Sequence, residues 1–306
     1  MTPTPKTRPA RTLRRLALAA VAALALPASA AVMNAWQLNV YRDGSSADWL
    51  LGNSRLLGDG FDNGNPLLGP AFSTTGQAAT YALFGLADPA QAALAAYEAG
   101  SALRLDPHYG AMAPGATGQV GRSLRLQLLT NVTDPALGLS QSRSFSASLR
   151  LGLSDLPGVG QAFGLRLTDG FSDASDVIDL YVAGTATGPL LTFRKQDFVH
   201  GSITTFGTTP LSAPAGAGAL VLSLTHGTAG SNTISASYAY ADGNGALITA
   251  FSGLSDGATA TAFNGEAHTR IELRAAELVS TVPEPGAWAL FAAGLAGLGW
   301  RARRRG

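Results

Sequence analysis

The sequence contains no cysteine, which excludes disulfide bonds and thiolate metal sites. Charged residues are also scarce, at 13% of the 306 residues. Lys195 is the only lysine between residues 31 and 285. The fold must therefore be held together by the packing of apolar side chains. The chain is long enough for a large core, in one domain or in two closely joined ones.

The net charge of +1 conceals an uneven distribution of charge along the chain. Five basic residues precede residue 16 and four follow Trp300, which leaves 12 basic residues and all 20 acidic residues within 31–285. This part of the chain therefore has a formal charge of −8. Such a charge repels the phosphates of nucleic acids, so we expect no nucleic-acid partner.

The first 30 residues have the parts of a secretory signal peptide. Lys6 and four arginines precede an apolar run at 16–26, which predicts a short signal helix. Pro27 ends the run, and Ala28-Ser29-Ala30 supplies the small residues of a cleavage site. We expect export through a translocon and cleavage by signal peptidase after Ala30. The run is too short to be a transmembrane helix.

Residues 281–306 contain a second set of signals. The motif Val282-Pro283-Glu284-Pro285 is followed by an apolar run at 286–300. The prolines fix φ and lack amide donors, so they predict an extended peptide around Glu284. The apolar run predicts a transmembrane helix about 22 Å long, which is short for a hydrocarbon core of about 30 Å. It is followed by a basic cluster made of Arg301, Arg303, Arg304 and Arg305.

We therefore expect transient anchoring in the membrane, with the arginines on the cytoplasmic side. The order of proline motif, apolar segment and arginine cluster resembles the PEP-CTERM sorting signal of Gram-negative bacteria. The resemblance implies processing near Pro283-Glu284-Pro285 by an exosortase-like membrane enzyme. It also implies release to the cell envelope, the cell surface or an extracellular polysaccharide matrix. A permanent C-terminal anchor with a proline-rich hinge is the alternative.

The exported body, residues 31–280, has the pattern of an all-β protein. Alternation of apolar and polar residues predicts half-buried strands. The segments that alternate are 122–130, 144–153, 161–168, 176–182, 219–225, 232–240 and 268–278. Asp242-Gly243-Asn244-Gly245 predicts a hairpin turn. One helix is predicted at Ala90–Ala99, with Asp88 as its N-cap and Gly100 as its stop.

These elements predict an antiparallel β-sandwich. The strand lengths and order between about 100 and 280 resemble jelly-roll sandwiches of the concanavalin-like type. Residues 31–100 form either an irregular subdomain or the outer strands of the same sandwich.

Two acidic loops are candidate calcium sites, because calcium is bound by six to eight oxygen ligands. The first loop contains Asp59, Asp62 and Asn65, and the second contains four aspartates between Asp169 and Asp179. Ordinary turns are the alternative, since turns favour aspartate, asparagine and glycine.

No catalytic motif is present, and we expect no enzymatic activity. A glycosidase needs two suitably spaced carboxyl groups. A Ser-His-Asp hydrolase is disfavoured as well, since the four histidines are isolated in sequence. Tyr238 and Tyr240 could stack against sugars or belong to the core. We interpret the body as a structural or glycan-binding component of the envelope or matrix. This interpretation rests on fold analogy and on the association of the sorting system with exopolysaccharide. A secreted glycoside hydrolase of concanavalin-like fold is the alternative.

Overall fold

The computed structural model of the protein describes residues 31–45, 52–114, 120–169, 177–197, 201–254 and 269–278. These residues lie in one compact unit, Ala30–Val279. The predicted signal helix and the predicted transmembrane helix lie outside the described residues. Within the described ranges, no helix has the length and apolar character required to cross a membrane.

The described residues form seventeen strands and little helix. The strands are β1 (Met33–Arg42), β2 (Arg55–Asp59), β3 (Leu68–Ala71), β4 (Ala78–Phe84), β5 (Ala96–Glu98), β6 (Leu103–Leu105), β7 (Ala111–Pro114), β8 (Val120–Leu128), β9 (Phe145–Gly152), β10 (Gln161–Asp169), β11 (Val177–Thr185), β12 (Gly188–Asp197), β13 (Ser202–Pro210), β14 (Ala219–His226), β15 (Ser235–Ala241), β16 (Ser252–Gly253) and β17 (Thr269–Leu278). The α-helices are α1 (Ala92–Ala95) and α2 (Thr130–Thr133). Short 3₁₀ turns lie at Pro89–Gln91, Pro107–Tyr109, Pro135–Leu137 and Leu153–Asp155.

The strands are arranged in two antiparallel sheets, which confirms the predicted all-β sandwich. The first sheet has the order β16-β15-β14-β9-β1-β6-β5, and β2 also pairs with β1. The second sheet has the order β13-β12-β11-β10-β17-β8-β4-β3, and β7 also pairs with β8. Strands from the two ends of the body thus lie inside opposite sheets: β1 between β9 and β6, and β17 between β10 and β8.

The core lies between the two sheets and follows directly from the alternation of residues. On β9, Phe145, Ala147 and Leu149 are fully buried, and the residues between them point to the opposite face. On β10, Phe163 and Leu165 belong to the same hydrophobic cluster. Burial of apolar surface, worth about 25 cal/mol per Å², is the main source of stability in a protein without disulfides.

The predicted helix at Ala90–Ala99 is too long, since the chain is helical only from Pro89 to Ala95. Asp88 does act as an N-cap, since its side chain accepts a hydrogen bond from the amide of Ala90. A 3₁₀ turn and α1 follow, but the chain then turns into β5 at Ala96. There Ala96 pairs with Leu105 of β6 and is buried. Tertiary pairing overrides the helical preference of alanine at this position.

Candidate functional site

A groove on the outer face of the first sheet is the candidate functional site. Its volume is about 330 Å³, and it spans β1, β9, β14 and β15 beneath the segment that follows β15. We call it the hydroxyl groove. Its lining consists of Gln37, Asn39, Tyr41, Ser146, Ser148, Arg150, Val221, Ser223, Thr225, Ser235, Ser237, Gly245, Leu247 and Phe251.

The register of the strands brings the hydroxyl groups of this groove into rows. Ser148 of β9 is opposite Ser223 of β14, which is opposite Ser237 of β15. In the next row, Ser146 is opposite Thr225, and Thr225 is opposite Ser235. Directly opposed residues in antiparallel strands have Cβ atoms about 4.5–5.5 Å apart. Segments far apart in sequence therefore form one continuous polar floor.

The hydroxyl groups of this floor bond to one another. Ser146 Oγ lies 3.1 Å from Ser223 Oγ and 3.1 Å from Thr225 Oγ1. Each hydroxyl can either donate or accept a hydrogen bond, and its proton rotates to suit the partner. The network can thus reorganise around a ligand that itself carries hydroxyl groups.

Arg150 is the charged side chain of the groove. Burial lowers the pKa of Arg150, and the charge of Asp242 opposes this effect. Its Nε is buried and has no hydrogen-bond partner among the described residues. The guanidinium lies against Gly245, where a Cβ atom would collide with Nη1. The turn itself is fixed by Asp242, whose Oδ1 accepts from the amides of Asn244 and Ala246, each at 2.9 Å.

An apolar wall faces the polar floor. Leu247 is 48% exposed at the groove, and Phe251 also lines it. Val221 of β14 adds an apolar position to the floor itself. A ligand here would meet hydroxyl groups on one side and carbon atoms on the other. This combination suits a sugar, which carries hydroxyl groups around its ring and apolar C–H groups on its faces.

Of the two alternatives for Tyr238 and Tyr240, the structure favours the core. The two rings form an edge-to-face pair with centroids 6.1 Å apart. However, Tyr240 is 6% exposed within the core cluster and Tyr238 packs against that cluster. Tyr41, on the neighbouring part of the sheet, lines the groove instead.

The first predicted calcium loop has the contacts of a structural turn. Asp59 is 1% exposed, and its carboxylate accepts hydrogen bonds from Tyr81 Oη at 2.6 Å and from the amide of Phe61 at 2.9 Å. Asn65 accepts from the amide of Leu67. Asp62 is exposed. In the described part of the chain, no three His, Cys, Asp or Glu side chains converge as metal ligands would. Calcium binding at this loop stays a prediction.

The second acidic loop is described only at its ends, and Asp173 and Asp176 lie outside the described residues. Asp179 is buried on the outer face of the second sheet, where Arg166 Nε donates to it at 2.7 Å. Glu272 lies 4.0 Å from the same guanidinium. Burial would raise the pKa of Asp179, but the charges of Arg166, Arg274 and Arg194 hold it well below its usual range. Asp179 therefore lacks the raised pKa that a glycosidase acid requires.

The described histidines have structural contacts. His226 is fully buried, with Nδ1 2.6 Å from the carbonyl oxygen of Arg143 and Nε2 2.9 Å from that of Ser231. His108 Nδ1 is 2.8 Å from Arg122. His200 and His268 lie outside the described residues.

The groove residues could not be singled out from the sequence. Ser148, Ser223 and Ser237 occupy polar positions of predicted strands, where serine facing solvent is ordinary. The alternation shows only that their side chains face away from the core. Their alignment depends on the register of three strands, which local sequence does not specify.

Neither curated proteins nor solved structures provide a match to the chain. The family described as "PEP-CTERM protein-sorting motif" matches residues 281–305. This match covers the proline motif, the apolar run and the arginine cluster. It confirms the resemblance inferred from those residues. The chain thus carries a PEP-CTERM sorting motif after its β-sandwich body.

Proposed function

We propose that the body binds glycans through the hydroxyl groove and serves as a structural component of the envelope or extracellular matrix. The motif at 281–305 implies export, membrane anchoring at that segment and an exosortase-type processing partner. We also propose that a polysaccharide is the partner of the body at its final destination, and that the sandwich is a jelly roll of the concanavalin-like type.

The observation that carries the proposal is the pairing of hydroxyl rows with an apolar wall. Ser148, Ser223 and Ser237 present interchangeable donors and acceptors on the floor. Leu247 and Phe251 present carbon surface above it. The formal charge of −8 on residues 31–285 disfavours nucleic acid as the ligand.

A substitution that fills the groove tests this proposal. Ser237 is half-buried in the floor, so Ser237→Leu would place apolar bulk where a sugar hydroxyl would bind. We expect retention on neutral polysaccharide gels to weaken at least about tenfold, or about 1.4 kcal/mol. Affinity electrophoresis of the purified body against a polysaccharide panel measures this change.

The matched control is Thr204→Leu, on an exposed position of β13 in the second sheet. It makes the same kind of polar-to-leucine change on a strand away from the groove. We expect it to migrate like the original protein. Equal retention of Ser237→Leu and the original protein, or no retention on any polysaccharide, would overturn glycan binding at this groove.

A further inference from the structure

Charged side chains form a second feature, on the outer face of the second sheet. We call it the arginine patch. Pairing aligns Arg166 with both Glu272 and Asp179, and Asp179 with Arg194. The patch consists of Arg125, Arg166, Arg194 and Arg274 together with Asp179 and Glu272. Its formal charge is +2, from four cations and two anions, within a body of formal charge −8.

One of the two acids is fully engaged by the protein. Asp179 accepts from Arg166 Nε at 2.7 Å and from Arg166 Nη2 at 3.2 Å. Arg194 adds two further hydrogen bonds to it, at 3.2 Å and 3.1 Å. Asp179 also pairs with Arg274 at 3.8 Å, so this one carboxylate is shared among three arginines.

The other acid is poorly engaged. Glu272 is 1% exposed, and neither carboxylate oxygen has a hydrogen-bond partner among the described residues. Its nearest cations are Arg125 Nη1 at 3.8 Å and Arg166 Nη1 at 4.0 Å. Contacts of this length lack the direct hydrogen bonds that make buried ion pairs favourable.

Two arginines of the patch face each other without an anion directly between them. Arg274 of β17 is directly opposite Arg125 of β8. Like charges in directly opposed positions destabilise a sheet. Burial, and then repulsion from Arg166, lowers the pKa of Arg274 to about 10. The local field thus favours the arrival of a negative charge.

The outer arginines of the patch remain reachable from solvent. The side chains of Arg125, Arg194 and Arg274 are 34%, 19% and 18% exposed. Arg194 also lies over the ring of Tyr181, with Cζ 4.8 Å from the ring centroid. Gly164 of β10 is opposite Tyr181 of β11 on one side and opposite Arg274 of β17 on the other. Because glycine has no side chain, the surface between Tyr181 and Arg274 is not filled by β10.

We propose that the arginine patch binds an acidic saccharide, with its carboxylate or sulfate between Arg125 and Arg274 and its ring against Tyr181. Guanidinium groups present planar donors that match such oxyanions. A ligand with one charge per sugar suits the patch better than nucleic acid, because the acidic body repels a densely charged phosphate chain. This site is separate from the hydroxyl groove, and its existence does not depend on the proposed function.

Two substitutions with opposite expected effects test the site. Arg125→Gln removes one partly exposed cation, and we expect affinity for oligogalacturonate to fall about five- to tenfold. Glu272→Gln removes a competing carboxylate at constant shape, and we expect affinity to rise several-fold. Isothermal titration calorimetry at low and moderate salt measures both changes. Sulfated dextran tests whether sulfate serves as well as carboxylate, and neutral dextran should not bind the patch.

The control is Arg143→Gln, which makes the same charge change at a side chain that is 45% exposed and paired with Asp43. We expect it to bind like the original protein. Arg125→Lys keeps the charge but not the planar guanidinium, so we expect its affinity to lie between those of the original protein and Arg125→Gln. This variant tests the site without Glu272→Gln, should that variant fail to fold. Equal effects of Arg125→Gln and Arg143→Gln, or tighter binding of a DNA oligonucleotide, would overturn the proposal. So would loss of oligogalacturonate binding in Ser237→Leu, since that outcome would place the acidic ligand in the groove.

Discussion

At the scale of single residues, Asp179 shows how burial and charge compete. Its carboxylate is 2% exposed, and burial alone would raise its pKa. Arg166, Arg274 and Arg194 act in the opposite direction and keep the pKa below the usual value of 3.8. The carboxylate therefore stays ionised in the folded protein. It also balances Arg166, whose side chain is only 6% exposed.

We predict that Asp179→Asn lowers the free energy of unfolding at pH 7 by about 3–5 kcal/mol, because it removes the hydrogen-bonded counter-charge of the buried Arg166 and leaves only Glu272, at 4.0 Å. The folded pKa of Asp179 is depressed, so its contribution is complete above the unfolded value and is lost as pH falls toward the folded value. The destabilisation caused by the variant should thus shrink below about pH 4. Urea unfolding between pH 7 and pH 3 measures this.

Arg274→Met provides the matched control for Asp179→Asn. The lowered pKa of Arg274 means that its charge is held at a cost in the folded protein. Replacing it with an apolar side chain of similar length should change the free energy of unfolding by less than about 1 kcal/mol. A loss as large as that of Asp179→Asn would contradict this account of the arginine patch.

Residue chemistry could be predicted from sequence only where the partner is local. Asp88 accepts from the amide of Ala90, two residues away, and its role as an N-cap was predictable. Asp59 bonds to Tyr81, 22 residues away, so the sequence around Asp59 shows a turn and not its buried partner. The charge of Asp242 acts on Arg150 although the two residues are far apart in sequence, because β9 and β15 belong to the same sheet.

At the scale of elements, alternation was a reliable guide where it was regular. The segment 144–153 became β9 and 268–278 became β17, each within one or two residues of its predicted bounds. Strand β12 was not predicted, because Arg194 to Asp197 is a polar run that hides the alternation. The sequence predicts helix where β5 forms, because alanine favours helices and the pairing of β5 with β6 depends on tertiary contacts.

Strand β10 contains a glycine that its neighbours require. A Cβ atom at Gly164 would lie 2.3 Å from the carbonyl oxygen of Leu180 and 2.6 Å from the Cα of Tyr181. Both atoms belong to the backbone of β11, which cannot move without disturbing the pairing. We predict that Gly164→Ala lowers the free energy of unfolding by about 1–3 kcal/mol. Chemical unfolding monitored by tryptophan fluorescence measures the loss.

The control for this prediction is Gly243→Ala, in the turn after β15. An ideal Cβ atom at Gly243 has no neighbour within 4 Å. We expect this variant to be neutral, or more stable by about 0.4–1 kcal/mol through reduced freedom of the unfolded chain. If the two alanine variants were equally stable, close approach of β10 and β11 would not be the reason for glycine at position 164.

At the scale of the whole molecule, the two sheets share one core but differ on their outer faces. The first presents serine and threonine hydroxyl groups, and the second presents the arginine patch. The sequence allowed a sandwich to be predicted, because alternation defines which residues face inward. It did not allow either outer face to be predicted, because each is assembled from four or five strands through their register.

The sorting motif acts on the molecule as a whole and can be tested apart from the fold. We predict that Glu284→Gln blocks processing near Pro283-Glu284-Pro285, so that the chain keeps its arginine cluster and stays in the membrane fraction. The original protein should be shortened near the motif and leave that fraction. Intact-mass spectrometry after cell fractionation measures both outcomes.

Glu266→Gln makes the same change outside the matched residues 281–305 and should leave processing unchanged. The body, residues 31–280, does not include position 284 and is therefore identical in the original protein and in Glu284→Gln. Any difference between the two full-length chains must then arise from processing and not from the sandwich. Normal shortening of the Glu284→Gln chain would show that the glutamate is not read. Processing would then have to depend on the prolines, the apolar run and the arginines, since these are the remaining parts of the matched motif.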